Sequence, residues 1–258
     1  MLNYIKTGTG SKHIIFIHGN SQSAESWIEV INSSALKNYT NIAIDLPGHG
    51  ESFKSTDPIN DYCYQGLTKH VEDFIINDQA ESFIIVGLSL GTNIIGELKS
   101  EFKKCKGIML ISSCVVGKGL QVSDVLDIAN PNLPTCFTAN PSDEEIEALI
   151  ADAADTKSRE GKEKIKKDFI TTDPLFRLTM ATAKDDTNEI ENIENRRIPI
   201  AVVFGENEKL CFKDYLDKIE FKKWKNKTIT IADAGHCMQY DQPETLANLV
   251  SDFAKDCF

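Results

Sequence analysis

Short apolar runs alternate with segments of helical periodicity along most of the chain. We predict strands at residues 2–5, 13–17, 41–44, 83–86, 107–111, 200–204 and 228–231. Helices are predicted at residues 27–31, 64–76, 90–103, 212–218 and 243–254. Strands that are apolar throughout and separated by helices are typical of a mostly parallel, twisted α/β sheet that helices cover on both faces.

This alternation stops between residues 111 and 198, where helical patterns are interrupted by prolines and no strand-like run occurs. Ser142 and Glu145 form a capping box, and Ile146, Leu149 and Ile150 share one side of the helix that it opens. A helical insertion between two core strands predicts a lid over a site. We therefore expect a core of residues 1–112 and 199–258 with a helical cap of residues 113–198. A separate accessory domain fits less well, because the sheet resumes at Ile200.

The strand at residues 83–86 runs directly into Gly87-Leu88-Ser89-Leu90-Gly91, and a helical pattern follows. A serine on such a tight strand-to-helix turn is held in strained dihedral angles with its hydroxyl clear of its surroundings. Glycines two residues to either side remove a steric collision. Ser89 is therefore the candidate nucleophile. The alternative, an ordinary loop serine, does not explain why strand, turn and helix coincide.

A serine nucleophile needs a base, and that base needs a carboxylate to orient it. Among the five histidines, His236 follows the strand at residues 228–231, at the sheet edge where open α/β folds build their sites. The strand at residues 200–204 brings Glu206 and Glu208 to the same edge. Glu208 is preferred for its reach toward His236. Glu206 stays open as an alternative, as does the interpretation that both are solvated loop acids.

The oxyanion that forms during acyl transfer needs backbone N–H donors. One candidate is the N–H of Leu90, directly after the nucleophile. The other is the N–H of Asn20, in the turn His18-Gly19-Asn20 that follows the strand at residues 13–17. The side chain of Asn20 either adds another donor or stabilises the turn. His18 is expected to be structural, since its ring should point into the fold.

Composition limits the possible binding partners and the cellular compartment of the protein. The formal net charge of −11 and the sequence pI of about 5.0 oppose a nucleic-acid role. No apolar run approaches the ~18 residues of a membrane span, and residues 1–6 lack the pattern of a signal peptide. The seven cysteines are odd in number and scattered, which favours reduced thiols in the cytoplasm. We expect no metal and no cofactor; the adjacent His236 and Cys237 are a poor ligand pair.

Four stretches together resemble the α/β-hydrolase superfamily, in its capped branch of small serine hydrolases: His18-Gly19-Asn20-Ser21, the segment 45–52 (DLPGHGES), Gly87-Leu88-Ser89-Leu90-Gly91, and Gly235-His236 ahead of Gln242-Pro243-Glu244. The resemblance implies the α/β-hydrolase fold with Ser89 as nucleophile, His236 as base, and Asn20 and Leu90 as oxyanion donors. It places Glu208 where the family usually has an aspartate, and it makes His49 structural.

The expected function is hydrolysis of a small to medium carboxylic ester, a small-molecule substrate, through an acyl-enzyme. Hydrolysis of a thioester, lactone, amide or carbon–carbon bond stays open, as does a non-catalytic small-molecule receptor, and the sequence leaves the oligomeric state undetermined. Apolar lid residues are interpreted either as pocket lining or as helix packing: Phe137, Leu175, Phe176 and Met180. Arg177 is expected either to bind a substrate carboxylate or to form a surface ion pair.

Overall fold

The computed structural model describes residues 1–99, 103–155, 159–183 and 187–258. Within these residues seven strands form one sheet: β1 (Tyr4–Thr7), β2 (Lys12–Ile17), β3 (Thr40–Ile44), β4 (Ser82–Leu88), β5 (Cys105–Ile111), β6 (Ile200–Gly205) and β7 (Ile229–Ile231). Their order is β1-β3-β2-β4-β5-β6-β7. β1 pairs antiparallel with β3 at one edge, and the other neighbours are parallel. The predicted fold class is confirmed.

The described helices are, in chain order, α1 (Ile28–Ile31), α2 (Pro58–Asp61), α3 (Tyr64–Asn77), α4 (Leu90–Glu97), α5 (Val122–Val125), α6 (Asp143–Ala153), α7 (Arg159–Thr171), α8 (Pro174–Ala181), α9 (Glu189–Glu194), α10 (Met238–Asp241) and α11 (Pro243–Cys257). Short 3₁₀ helices lie at Ala24–Trp27, Ser34–Leu36, Leu133–Phe137, Tyr215–Lys218 and Trp224–Asn226. None of these helices has both the length and the apolar character needed to cross a membrane.

The sheet separates two hydrophobic cores, as the alternation along β4 shows. Phe83 and Ile85 pack into the core that includes residues of α3 and α4, whereas Ile84, Val86 and Leu88 pack into the core that includes residues of α1 and α11. Successive side chains of a strand point to opposite faces, so a sheet with helices on both sides buries every position. This is why β4 reads as an unbroken apolar run.

The segment between β5 and β6 is helical, with α5 to α9 and the 3₁₀ helix Leu133–Phe137 in its described residues. The predicted capping box opens α6: Ser142 Oγ accepts the Glu145 N–H at 3.2 Å, and Glu145 Oε2 accepts the Ser142 N–H at 2.7 Å. The apolar side of α6 is buried, as its spacing predicts. At the end of the segment, α9 packs on α4, where Asn93 Nδ2 donates to Glu189 Oε2 at 2.8 Å.

Several predicted boundaries were wrong. The first strand begins at Tyr4, not at residue 2. The helix predicted at 27–31 is a 3₁₀ helix followed by the single turn α1, and the one predicted at 212–218 is the 3₁₀ helix Tyr215–Lys218. The helix predicted at 90–103 ends at Glu97, and residues 100–102 lie outside the described residues. Arg196 Nη2 donates to the carbonyl of Leu98 at 2.6 Å, satisfying an acceptor that the next helical turn would use.

Candidate active site

Ser89 lies on the turn between β4 and α4 with φ 52° and ψ −118°, a backbone conformation that non-glycine residues rarely adopt. Its N–H donates to the carbonyl of Ile111 at 3.0 Å, and its carbonyl accepts the N–H of Thr92 at 2.7 Å. A Cβ on Gly91 would lie 2.6 Å from the carbonyl oxygen of Ile17, and one on Gly87 would lie 2.7 Å from the backbone of Gly91. The turn therefore requires both glycines, as the sequence indicates.

His236 and Glu208 are brought together from the loops after β7 and β6. The Nδ1 atom of His236 lies 3.0 Å from each carboxylate oxygen of Glu208. The Glu208 side chain is fully buried, and its Oε1 also accepts the N–H groups of Leu210 at 2.8 Å and Cys211 at 3.2 Å. A carboxylate in this position holds the proton on Nδ1, which leaves Nε2 of the ring as the basic atom.

The pKa values of the pair are shifted in opposite directions. Burial raises the pKa of Glu208, but the charge and hydrogen bond of His236 and the N–H of Leu210 outweigh it and lower that pKa overall. Burial lowers the pKa of His236, but the charge and hydrogen bond of Glu208 outweigh it, so that pKa is raised. Each partner thus favours the charged form of the other.

Glu206, the alternative acid, is exposed, and its Oε2 accepts the N–H of Asp233 at 3.4 Å. It makes no hydrogen bond with His236 among the described residues. The shorter separation from the end of β6 explains the difference, because Glu206 N–H is still held by the carbonyl of Ile231 at 2.8 Å.

The turn after β2 is fixed by buried side chains. Ser21 has φ 54°, and its N–H donates to Nε2 of His49 at 3.2 Å. The Asn20 side chain makes one hydrogen bond within the turn and one to the segment between β5 and β6. Its Oδ1 accepts from the Ser21 hydroxyl at 2.7 Å, and its Nδ2 donates to the carbonyl of Cys136 at 3.1 Å. His18 is fully buried, with Nε2 accepting the Leu46 N–H at 3.0 Å, which agrees with the structural role expected for it.

Ser89, Leu90, Asn20 and His236 all line one cavity of about 690 Å³. The N–H of Leu90 lies in the first turn of α4, where it has no acceptor within its own helix. The Ser89 hydroxyl lies 3.7 Å from Sγ of Cys114, and in the part of the chain that the structure describes it makes no hydrogen bond to His236. The serine, the histidine and the two backbone segments thus meet at one cavity, with the serine hydroxyl turned toward a thiol.

The family model of the alpha/beta hydrolase fold matches residues 12–243 of this chain. The chain belongs to the α/β-hydrolase family. The match spans the sheet from β2 onward and includes the turns that carry Asn20, Ser89, Glu208 and His236.

Two distant relatives of this α/β hydrolase match nearly its whole length. The AB hydrolase superfamily protein YisY of Bacillus subtilis (strain 168) is 20% identical over 261 residues, covering 93% of this chain and 91% of YisY. Monoacylglycerol lipase ABHD6 of Rattus norvegicus is 20% identical over 259 residues, covering 93% of this chain and 74% of ABHD6.

Among solved structures, a mutant of the N-acyl homoserine lactonase AidH complexed with N-hexanoyl homoserine superposes with a TM-score of 0.87, at 22% identity, over 100% of this chain and 98% of that chain. The esterase EaEST from Exiguobacterium antarcticum gives a TM-score of 0.80 at 13% identity, over 98% of this chain and 95% of that chain. At these identities the superpositions show a shared fold.

The inserted helices of the hydrolase supply most of the apolar cavity wall. Residues from these helices and the loops beside them contribute aliphatic and aromatic side chains: Val122, Val125, Leu126, Leu133, Phe137, Leu149, Ile150, Ile165, Phe169 and Met180. Of the apolar lid residues singled out in the sequence, Phe137 and Met180 line the cavity. Phe176 instead packs edge-on against His49, with ring centroids 4.2 Å apart, and Leu175 is exposed.

Arg177 has neither of the roles expected from the sequence. It is buried, and its guanidinium donates to the carbonyls of Thr138 at 2.8 Å, Ala139 at 2.7 Å and Phe169 at 2.9 Å. Nη1 also lies 3.3 Å from the Ser21 hydroxyl, which in turn donates to Asn20. Arg177 therefore links segments of the insertion to the turn after β2, and its buried donors are taken up by backbone oxygens.

Sequence reasoning missed two residues that support the turn carrying Ser89, Thr92 on α4 and Cys114 after β5. Thr92 Oγ1 donates to the carbonyl of Ser89 at 2.6 Å and accepts the N–H of Cys114 at 2.9 Å. Cys114 comes three residues after β5, the strand that lies beside β4 in the sheet. This position at the carboxyl edge of the sheet is the signal from which the sequence could have predicted it.

Ligand atoms of Glu208, Cys211 and His236 lie within 4.8 Å of one another, a spacing that a metal ion could bridge. The Glu208 carboxylate and the His236 imidazole, however, already form a hydrogen bond with each other.

Proposed function

We propose that this α/β hydrolase cleaves carboxylic esters through an acyl-enzyme, with Ser89 as nucleophile, His236 as general base and Glu208 as the orienting acid. The observation that carries the proposal is the buried Glu208–His236 pair, whose imidazole opens on the same cavity as a serine held on a strained turn. Perturbed acid and base partners beside a concave apolar site are typical of catalytic centres.

In the proposed first step, a rotation of the Ser89 side chain away from Cys114 brings its hydroxyl to Nε2 of His236. Hydrogen bonds of this kind are often long before substrate binds. The imidazole takes the hydroxyl proton as the oxygen attacks the ester carbonyl. The N–H groups of Asn20 and Leu90 stabilise the oxyanion, and the imidazolium then protonates the leaving alcohol. Water, activated by the same imidazole, cleaves the acyl-enzyme.

The cavity favours an apolar acyl group. Its volume of about 690 Å³ lies within the range of small-molecule sites, and its wall is mainly aliphatic. Residues 113–198 are proposed to act as the cap that forms this wall, over a core of residues 1–112 and 199–258. The cytoplasm is the proposed location, since all seven cysteines are free thiols outside any disulfide.

A second candidate is a lactone carrying an acyl chain. The fold is shared over the whole chain with AidH, an N-acyl homoserine lactonase. A lactone is a cyclic ester, so the same serine, base and oxyanion donors serve it, and the apolar wall would hold the acyl chain. Comparing kcat/KM for N-hexanoyl homoserine lactone with kcat/KM for p-nitrophenyl hexanoate decides between the candidates.

The test of the proposed function combines covalent labelling with turnover. A fluorophosphonate probe should label the wild-type protein, and short-chain p-nitrophenyl esters should be hydrolysed; both signals should be lost in Ser89→Ala. Ser251→Ala is the matched control, because Ser251 is a buried serine on α11, away from the cavity. Absence of labelling and turnover in a folded wild-type protein would instead favour a small-molecule receptor.

A further inference from the structure

Two cysteine thiols lie side by side at the active site. Sγ of Cys114 is 3.2 Å from Sγ of Cys211. Cys114 lines the cavity and lies 3.7 Å from the Ser89 hydroxyl, whereas Cys211 is buried behind it, 3.8 Å from Nδ1 of His236. The thiol pair therefore lies close to both Ser89 and His236, and Cys114 is accessible to small molecules in the cavity.

We propose that Cys114 and Cys211 are an oxidative modification site, at which hydrogen peroxide entering the cavity converts the two thiols into a disulfide. In the first step the sulfur of Cys114 attacks one peroxide oxygen and the O–O bond breaks. The departing oxygen takes the thiol proton and leaves as water, so Cys114 becomes a sulfenic acid. In the second step the sulfur of Cys211 attacks the sulfenic sulfur and the S–O bond breaks. The departing hydroxide takes the thiol proton of Cys211 and leaves as a second water. Two thiols are oxidised and one peroxide is reduced.

The environment of the two sulfurs distinguishes their roles. The hydrogen bond from Cys211 outweighs burial and lowers the pKa of Cys114, which favours its thiolate. Burial raises the pKa of Cys211 well above the usual value. The attacking thiol should thus be Cys114, which the cavity also exposes, and the resolving thiol should be Cys211.

Formation of the bond should slow ester hydrolysis. The two sulfurs must approach from 3.2 Å to about 2.05 Å, which shifts at least one of the chains that carry them. The Cys211 N–H donates to Glu208 Oε1. The Cys114 N–H donates to Oγ1 of Thr92, which in turn donates to the carbonyl of Ser89. Displacements of about 1 Å at a catalytic site can cost about 100-fold in rate, so we expect kcat/KM to fall about tenfold or more.

The experiment uses the whole chain, reduced, desalted and titrated with hydrogen peroxide. The expected result is an intact mass lower by two hydrogen atoms, a Cys114–Cys211 linked peptide in a non-reducing digest, and the fall in ester turnover. Dithiothreitol should reverse all three. Recovery of Cys114 and Cys211 as free thiols, while other cysteines are oxidised, would overturn the proposal.

Two variants sharpen the test. Cys211→Ser should leave Cys114 without a resolving thiol, so oxygen adds to Cys114 and no linked peptide forms. Cys136→Ser is the matched control: Cys136 lines the same cavity, and its removal should leave the linked peptide unchanged. The mass readout does not depend on hydrolysis. If the reduced protein lacks esterase activity, the proposed function fails while the linked peptide still decides the fate of the thiol pair.

Discussion

Replacing Glu208 by glutamine tests the proposed triad at its acid. Both carboxylate oxygens lie 3.0 Å from Nδ1 of His236, in a side chain fully removed from solvent. Glutamine keeps the size and one acceptor oxygen but removes the charge, and its amide can present an N–H to the ring, which favours the wrong tautomer. The analogous loss in a serine protease costs about 10⁴-fold in kcat. For Glu208→Gln we expect a fall in kcat of about 10³-fold or more, or about 4 kcal/mol in the barrier.

The matched control is Glu206→Gln, a neutralisation on the same loop at an exposed position. We expect its kcat to stay within about twofold of wild type, because Glu206 is exposed, its carboxylate makes no hydrogen bond to His236 among the described residues, and exposed charges contribute little. The assay is p-nitrophenyl ester turnover across pH, with circular dichroism to show that both variants are folded. A larger kcat loss in Glu206→Gln than in Glu208→Gln, or a loss below about tenfold in the latter, refutes the assignment.

Further outcomes follow from the same structure. The raised pKa of His236 means that the base is protonated at higher pH than usual, so kcat/KM should fall on acidification with a midpoint above the ordinary 6.5, and that midpoint should move down in a variant that removes the Glu208 charge. Gly91→Ala should lower the free energy of unfolding by about 2 kcal/mol in urea titrations and abolish labelling, because the new Cβ would meet the Ile17 carbonyl at 2.6 Å. Burial raises the pKa of Asp168 to about 6, so ionising it destabilises the folded state as pH rises. Asp168→Asn should therefore add about 3 kcal/mol of stability at pH 8 and nothing near pH 3; equal effects at both pH values would contradict this. Leu149→Trp, at a cavity-lining position, should lower kcat/KM for hexanoyl esters more than for acetyl esters, and an equal loss for both would argue against an acyl pocket there.

The sheet was predictable because its physics is local. Strands buried on both faces must be apolar at every position, so β4 and β6 are visible as runs such as Phe83 to Val86. The capping box at Ser142 likewise acts over a few residues. The pentapeptide around Ser89 is recognisable from its own spacing, although Gly91 also makes room for the distant carbonyl of Ile17. Helix ends were less predictable. Where α4 ends, the carbonyls of Ile95 and Leu98 accept from Arg196, which is nearly a hundred residues later in the chain.

The candidate site likewise has a part that the sequence predicts and a part that it does not. Motif and chain order placed Ser89, His236 and Glu208 at one sheet edge, and the structure puts the last two in contact. The position of Cys114 just after β5 could have placed its thiol near the serine. The carbonyl oxygens around Arg177 come from segments far from it in the sequence, and no spacing indicates that they meet.

The residues of the proposed triad and the apolar wall of the cavity come from different stretches of the chain. Ser89, Glu208 and His236 lie outside the inserted helices, whereas Val125, Ile150 and most other wall residues lie within them. Substitutions in the inserted helices can therefore change which substrates bind, while the side chains of the proposed triad keep their positions. Grafting residues 113–198 from a relative with another acyl preference should transfer that preference together with the graft, provided that the anchoring contacts of Arg177 and Glu189 are carried along.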